Sequence, residues 1–149
     1  MTVLTENRRA RFDYEILETY EAGIELYGFE VKSIKTGRGN LTGSFAVIKN
    51  NEVFLLNANV PPYQPKNAPG DYDPQRTRRL LLKKSEIKEL FGKTTQKGLT
   101  IVPLKAYTKR GKIKILLGLA RSKKKADKRE IIKRRETQRE IERTLKDDT

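Results

Sequence analysis

The 149-residue sequence contains no cysteine and no histidine. Without cysteine there can be no disulfide and no thiolate metal site, which is typical of proteins from a reducing cytoplasm. Without histidine there can be no Ser-His or Cys-His catalysis and no His-ligated zinc. Any enzyme activity would have to use carboxylates, Lys or Tyr, and we expect no cofactor and no metal.

Long apolar runs are also missing. The longest are about four to five residues, whereas a membrane-spanning helix needs ~20, and the N-terminal residues 1–14 lack the apolar stretch of a secretory signal. We therefore expect a cytoplasmic protein with no membrane partner.

Positive charge is abundant instead. The chain has 33 Lys and Arg against 19 Asp and Glu, for a net charge of +14 and a pI near 10.0. Such an excess favours a polyanionic partner, with nucleic acid first and an anionic membrane surface second. The length fits one domain with an appendage.

The first half of the chain shows strand patterns around one short helix. Residues 14–27 alternate loosely between apolar and polar, which predicts a strand interrupted near Gly23. The spacing of Val31 and Ile34 between glycines predicts a short helix. Asn50-Asn51 separates two further strand patterns and predicts a hairpin.

The second half begins with a proline-rich stretch. Residues 59–79 hold five of the six prolines, so we expect no regular element there, and the basic run at 76–79 is placed to contact phosphate. A short helix is predicted from a cap at Ser85 to a stop at Gly92. The last body element is a hairpin turning at Arg110-Gly111.

The second strand of that hairpin has one apolar and one basic face. Ile113 and Ile115 alternate with Lys112 and Lys114, so one face is buried and the other is basic at its start. About five or six short strands with two or three short helices predict a mainly β (α+β) fold, a small antiparallel OB-like β-barrel. We assign residues 1–120 to this body.

Residues 121–149 form a basic C-terminal tail of different character. Between 121 and 135 there are nine basic and two acidic residues, and all eleven aromatic residues of the chain precede residue 108. The tail has too few apolar side chains to offset the entropy of ordering, so we predict that it is disordered when free and helical when bound. A solvated charge run is the alternative, but this charge density favours nucleic acid.

Two other patterns have a functional and a structural interpretation. Arg8, Arg9 and Arg11 precede Phe12, and such aromatics could stack on bases or belong to the core. The carboxylates of Asp13 and Glu30 with Lys32 resemble a metal-dependent nuclease, but a surface Asp and a helix-face Glu-Lys pair explain them as well.

Several longer motifs resemble one known family. "NRRARFDYEILETYEAGIEL", "GFEVKSIKTGRGNL", "DPQRTRRLLL" and "LGLARSKKKADKRE" occur in the order found in small protein B, the family of tmRNA-binding proteins of bacterial trans-translation. The resemblance runs from Asn7 to about Glu136. Where the family often has His or Tyr before "DKR", this chain has Ala126, so stacking at that position is absent.

The resemblance implies a non-enzymatic, monomeric adaptor for ribosome rescue. Its OB-like body would bind the tRNA-like domain of tmRNA. Its tail would enter the empty mRNA channel of a stalled ribosome, next to small-subunit RNA at the decoding centre, with elongation factor Tu in the delivery complex. A general ribosomal or ribosome-associated RNA-binding protein is the alternative.

The site residues follow from the resemblance together with the basic pattern. For tmRNA binding they are Asn7, Arg8, Arg9, Arg11, Glu21, Lys32 and Leu81. For the ribosomal function of the tail they are Arg121, Lys123, Lys124, Lys125, Asp127, Lys128, Arg129, Lys133, Arg134 and Arg135.

Overall fold

A computed structural model describes residues 1–123, 134–141 and 143. Its strands are β1 (Thr2–Glu6), β2 (Tyr14–Ile24), β3 (Phe45–Lys49), β4 (Glu52–Leu56), β5 (Arg78–Leu81), β6 (Thr100–Lys109) and β7 (Lys112–Ser122). Its helices are α1 (Arg8–Asp13), α2 (Gly28–Lys35) and α3 (Lys84–Lys97), with one 3-10 turn at Pro65–Asn67. Residues 134–141 form a further helical segment.

The strands form one antiparallel sheet in the order β1-β6-β3-β4-β5-β2-β7, and β6 also pairs with β7. The pairing of β2 with β7 and of β6 with β7 is long, whereas β3 and β6 share the single pair Ala46–Ile101. This mainly β sheet with short helices confirms the expected OB-like class. The sheet in the described residues has seven strands where five or six were predicted, because β1 carries no clear periodicity in the sequence.

Both predicted hairpin turns are confirmed. Asn50 and Asn51 have φ of 49° and 62°, and Arg110 and Gly111 have φ of 54° and 77°. Two successive residues with positive φ make the turn whose twist matches that of the flanking strands. Asn and Gly tolerate this backbone best, so the turns could be found from local sequence.

The main core lies inside the curved sheet and is closed by α3. It contains Ala22 of β2, Leu55 of β4 and Leu117 of β7, together with Leu90 of α3. A second cluster lies on the outer face of the sheet, where Ala10 of α1 packs on β6 and β7. The helix α1 therefore covers one end of the outer face.

The helix α3 differs from its predicted bounds. Its N-cap is Lys83 rather than Ser85, and Glu86 accepts a hydrogen bond from the Lys83 backbone N–H at 3.2 Å. The helix continues through Gly92 and ends at Gly98, whose φ of 67° is left-handed. Gly92 is tolerated because burial of Leu90 and its neighbours outweighs the cost of about 1 kcal/mol for one helical glycine.

The C-terminal region also differs in part from expectation. The strand β7 extends to Ser122, so it overlaps the first residues of the predicted tail. Residues 134–141 are helical and contact the body, although the sequence offered few apolar side chains for this. Residues 124–133 lie outside the described residues, and the predicted disorder of the unbound tail stays a prediction. None of the described helices is long and apolar enough to cross a membrane.

Candidate RNA interface

The outer face of β2, β5 and β7 brings together two residues that are distant in sequence. Glu21 pairs with Leu116, while Gly23 pairs with Lys114 on one side and with Leu81 on the other. Opposed residues in antiparallel strands share a face, and so do residues two apart on one strand. Glu21 and Leu81 therefore lie on the same outer face.

Glu21 is held in place by its own protein. It accepts a hydrogen bond of 2.5 Å from the Tyr107 hydroxyl, and Lys109 Nζ lies 3.3 Å from its other oxygen. The Tyr107 hydrogen bond, then Lys109 and Lys114, lower the pKa of Glu21 despite some desolvation. Burial and then Glu21 raise the pKa of Tyr107. Glu21 thus stays ionised, and it keeps part of its carboxylate exposed.

Four lysines lie on the same outer face as Glu21, and two of them, Lys109 and Lys114, interact with its carboxylate. They alternate with buried residues along β6 and β7, because only every second side chain points outward. The group comprises Lys105, Lys109, Lys112 and Lys114, and we call it the lysine face. The sequence pattern indicated that β7 had a basic side, but it did not select these residues as a site.

Asn7 is a buried helix cap and not a surface residue. It is 2% exposed, and its Oδ1 accepts from the Ala10 N–H at 3.2 Å. Its Nδ2 donates to the carbonyls of Leu41 at 3.2 Å and Pro103 at 2.9 Å. Every polar atom of this side chain bonds within the protein, so Asn7 fixes the position of α1.

The helix α1 presents arginines beside the lysine face. The Arg8 side chain is 91% exposed and lies 3.8 Å from Glu6, while Arg9 pairs with Asp13 at 3.3 Å. Arg11 is exposed as well. The cluster under α1 includes the partly buried Leu116, which lies opposite both Glu21 and Lys105. The α1 arginines and the lysine face are therefore contiguous.

Lys32 lies on a different element, the helix α2. It is exposed on α2, where it lines a shallow cavity of about 400 Å³ with Phe29 and Tyr63. The helix α2 packs through Ile34 on a different apolar cluster, with Val60. Lys32 thus lies on a helix that packs on a different apolar cluster from the one under α1.

Glu30 is buried in an ion-pair network. Its carboxylate is 0% exposed and accepts hydrogen bonds from Arg78 at 2.7 and 2.9 Å, Arg76 at 2.5 and 3.1 Å and the Tyr72 hydroxyl at 2.9 Å. Burial opposes ionisation, but bonds from Arg76, the Tyr27 N–H and Arg78 prevail and lower the pKa of Glu30 to about 2.

This network changes the interpretation of two sequence patterns. Arg78 is fully buried, so the basic run at 76–79 does not offer that side chain to phosphate. Both oxygens of Glu30 are taken by protein donors, so the structure gives no support to a metal site of Asp13, Glu30 and Lys32. Among the described residues there is no cluster of three or more potential metal ligands.

The tail begins beside α1. Arg121 pairs with Glu15 at 3.3 Å across β7 and β2. The Lys123 backbone N–H donates to the carbonyl of Asp13 at 3.2 Å, and its Nζ donates to that of Arg11 at 3.3 Å. The basic tail thus leaves the body next to the α1 arginines.

The structure describes four of the ten predicted tail residues, and two of these, Arg121 and Lys123, are placed above. Arg134 and Arg135 are described and lie against the body. Six residues lie outside the described part of the chain: Lys124, Lys125, Asp127, Lys128, Arg129 and Lys133.

Comparisons with known proteins point to one family. The family model described as SmpB protein matches residues 4–147. The chain is 56% identical over 144 residues to an SsrA-binding protein of Synechococcus elongatus, covering 97% of this chain and 94% of the relative. A second SsrA-binding protein, from Thermosynechococcus vestitus, is 55% identical with 97% and 95% covered.

A solved structure is similar as well. It is described as "tmRNA-SmpB: a journey to the center of the bacterial ribosome", and the similar chain is 52% identical with a TM-score of 0.67. The similarity covers 89% of this chain and 95% of the solved one. Sequence and fold thus agree over nearly the whole length.

Proposed function

This chain belongs to the SmpB protein family, and from that premise we propose that it is an RNA-binding adaptor of trans-translation. Its body binds the tRNA-like domain of tmRNA, and the complex acts in ribosome rescue. The relatives are SsrA-binding proteins, and the similar solved chain comes from a tmRNA-SmpB structure on the bacterial ribosome. The family is one of RNA-binding adaptors and not known for catalysis, and a ribosomal partner implies a cytoplasmic location.

The contiguity of α1 with the lysine face is the structural observation that carries the proposal. Arg8 and Arg11 on one side and the four lysines on the other form one basic surface that can follow an RNA backbone. Leu81 adds an exposed apolar side chain, 45% accessible, that can pack on a ribose or base. Glu21 orients Tyr107 and Lys109 on this surface, and it can also accept from a 2′-hydroxyl.

The tail has a separate role in this proposal. Its basic residues enter the empty mRNA channel near the decoding centre as a helix and contact small-subunit RNA there. A monomer carries alanyl-tmRNA to the ribosome together with elongation factor Tu. The charge density between 121 and 135 supports this, because phosphate contacts by Lys and Arg dominate binding to RNA.

A competition titration tests the role of the body. Labelled tRNA-like domain of tmRNA is displaced from the full chain by tRNA, hairpin RNA or duplex DNA at physiological salt. We expect a strong preference for the tRNA-like domain. Equal competition by all polyanions would leave only general electrostatic binding and would favour a general ribosome-associated protein.

Paired lysine variants locate the surface. We expect Lys112→Ala/Lys114→Ala to weaken binding about tenfold and to lower the salt slope by about two. The control Lys84→Ala/Lys88→Ala removes two exposed charges from α3, on the other side of the sheet, and should change affinity little. Equal losses in both variants would refute the assignment to the lysine face.

Truncation tests the division of labour. Deleting residues 124–149 leaves β7 complete, so tmRNA binding should remain within a few-fold of that of the full chain. Peptide tagging on stalled ribosomes should be abolished. Tagging by the truncated protein would show that the tail is not required.

A further inference from the structure

The cavity beside Lys32 has one wall on α2 and the other on the proline-rich stretch 59–79. Phe29 and Lys32 line it from α2, and Tyr63 and Gln64 line it from the stretch. Its volume is about 400 Å³, within the range of roughly 300–1,000 Å³ that is typical of small-molecule sites. Two aromatic rings and an exposed ammonium group thus meet there. An unstacked nucleotide needs this combination, because rings bind its base and a cation binds its phosphate.

The Phe29 ring is held in place by two neighbouring rings. Its centre lies 5.6 Å from that of Tyr27, with an angle of 25° between the ring planes. The ring of Tyr72 meets it edge-on, with centres 4.8 Å apart and an angle of 85°. Stacked and edge-to-face pairs are both favourable arrangements of aromatic rings. Phe29 therefore presents a fixed surface to the cavity.

Tyr63 is fixed on the opposite wall. Arg38 Nη1 donates a hydrogen bond to the Tyr63 carbonyl at 2.9 Å, and the Arg38 guanidinium lies 5.3 Å from the centre of the Tyr63 ring. A cation over an aromatic ring at this distance is stabilising. Pro61 and Pro62 precede Tyr63 and restrict its backbone further. Arg38 also places a second positive charge next to the ring.

Both walls are attached to the buried carboxylate of Glu30. At the start of α2 its Oε1 accepts from the Tyr27 N–H at 2.7 Å, and its Oε2 accepts from the Tyr72 hydroxyl of the proline-rich stretch at 2.9 Å. The Val60 N–H donates to the Pro74 carbonyl at 2.9 Å and closes the base of the stretch. The cavity is therefore preformed, and a preformed site binds its ligand without first ordering its own walls.

We propose that this cavity, which we call the α2 pocket, binds one unpaired nucleotide of single-stranded RNA. The base stacks on the rings of Phe29 and Tyr63, and Lys32 pairs with the phosphate. Stacking of this kind tolerates any base, since every base has a π face. A duplex is excluded, because its bases are stacked on one another. The site does not rest on the proposed function, since it requires an unpaired nucleotide and not a tRNA-like domain.

Binding of fluorescently labelled hexauridylate by the full chain at several salt concentrations tests the pocket. Tyr63→Leu removes the ring, so we expect the affinity to fall about tenfold with an unchanged salt slope, because stacking releases no counterions. Lys32→Gln should lower the affinity and also reduce the slope by about 0.7, the value for one phosphate of a single strand. Tyr63→Phe keeps the ring and should bind as the wild type does.

Two variants on α3 serve as matched controls. Phe91→Leu removes another exposed aromatic ring and Lys88→Gln removes another exposed lysine, and neither residue lines the α2 pocket. Neither control should change the affinity or the slope as its counterpart does. Unchanged affinity in Tyr63→Leu would overturn the proposal. So would equal losses in Tyr63→Leu and Tyr63→Phe, or in Tyr63→Leu and Phe91→Leu.

Amide chemical shifts of the wild type locate the bound strand. Hexauridylate should shift the signals of Gly28, Phe29 and Gln64, whereas a blunt RNA duplex should leave them in place. Shifts confined to the lysine face would overturn the pocket. Uridine monophosphate should compete at least about tenfold more weakly than the strand; equal competition would show a site for free nucleotides and overturn the assignment to RNA. None of these results bears on the preference for the tRNA-like domain, so failure of the pocket is distinguishable from failure of the proposed function.

Discussion

Two arginine-rich stretches of this protein look alike in sequence and differ in structure. Residues 8–11 lie on α1 with exposed guanidinium groups, beside the lysine face. Residues 76–79 contain Arg78, which is fully buried and paired with Glu30. The two stretches differ in exposure because Glu30 supplies a buried carboxylate that pairs with Arg78, whereas the arginines of α1 face solvent. Charge density alone therefore does not identify a nucleic-acid surface.

Removing the buried carboxylate should have the largest effect. Glu30→Ala leaves Arg78 buried without its counterion, and breaking such a pair costs about 3–5 kcal/mol. The measurement is the free energy of unfolding from denaturant titration. The control is Glu25→Ala, because Glu25 pairs with Arg79 at the surface, 3.3 Å away, and should cost less than about 1 kcal/mol. Equal losses would contradict the assignment of Glu30 as the structural centre.

Lowering the pH should have the second-largest effect, a loss of stability in the same region around Glu30. The folded-state pKa of Glu30 is lowered from 4.5 to about 2, so its contribution to stability is complete above pH 4.5. It is lost as the pH falls through the folded pKa, and it amounts to roughly 3 kcal/mol. Denaturant titrations between pH 5 and 2 measure it. Glu30→Gln should flatten this dependence while Glu25→Gln preserves it; an unchanged slope in Glu30→Gln would disprove the attribution.

Asn7 shares a feature with each of the two arginine-rich stretches. Its side chain is buried, as Arg78 is, but it caps the exposed helix α1. Asn7→Ala removes the cap of α1 and the side-chain donor to the Pro103 carbonyl, while the Leu41 carbonyl keeps its two donors from Ser44. We expect a cost of about 2 kcal/mol. We expect weaker RNA binding together with a lower free energy of unfolding, measured on the same preparation. Lost RNA binding at unchanged stability would instead indicate a direct contact.

The exposed arginines should have the smallest effect on stability. Arg8→Ala/Arg11→Ala removes two solvated side chains, so the free energy of unfolding should not change, while the affinity for the tRNA-like domain and its salt dependence should both fall. Melting curves and titrations at several salt concentrations measure both. A large loss of stability would show that α1 depends on these arginines for more than RNA binding.

Several parts of the fold follow from local sequence. The hairpins at Asn50-Asn51 and Arg110-Gly111 were predicted because left-handed turns need particular residues. The short helix α2 was marked by apolar spacing between glycines. The helix α1 was missed, since it is one and a half turns long and is held by the buried bonds of Asn7. The site was only partly predictable, because the register between β6 and β7 decides which lysines lie together on the outer face.

The sequence by itself determined the basic character, the mainly β class, the two tight turns and the amphipathic strand with its lysines. These depend on composition, on backbone preference and on a period of two, all of which are local. Only the tertiary structure decided that Glu21 and Leu81 share a face, that Asn7 is buried and that Arg78 is structural. Those outcomes depend on pairing between distant segments, and a residue does not encode its distant partner in its immediate neighbours.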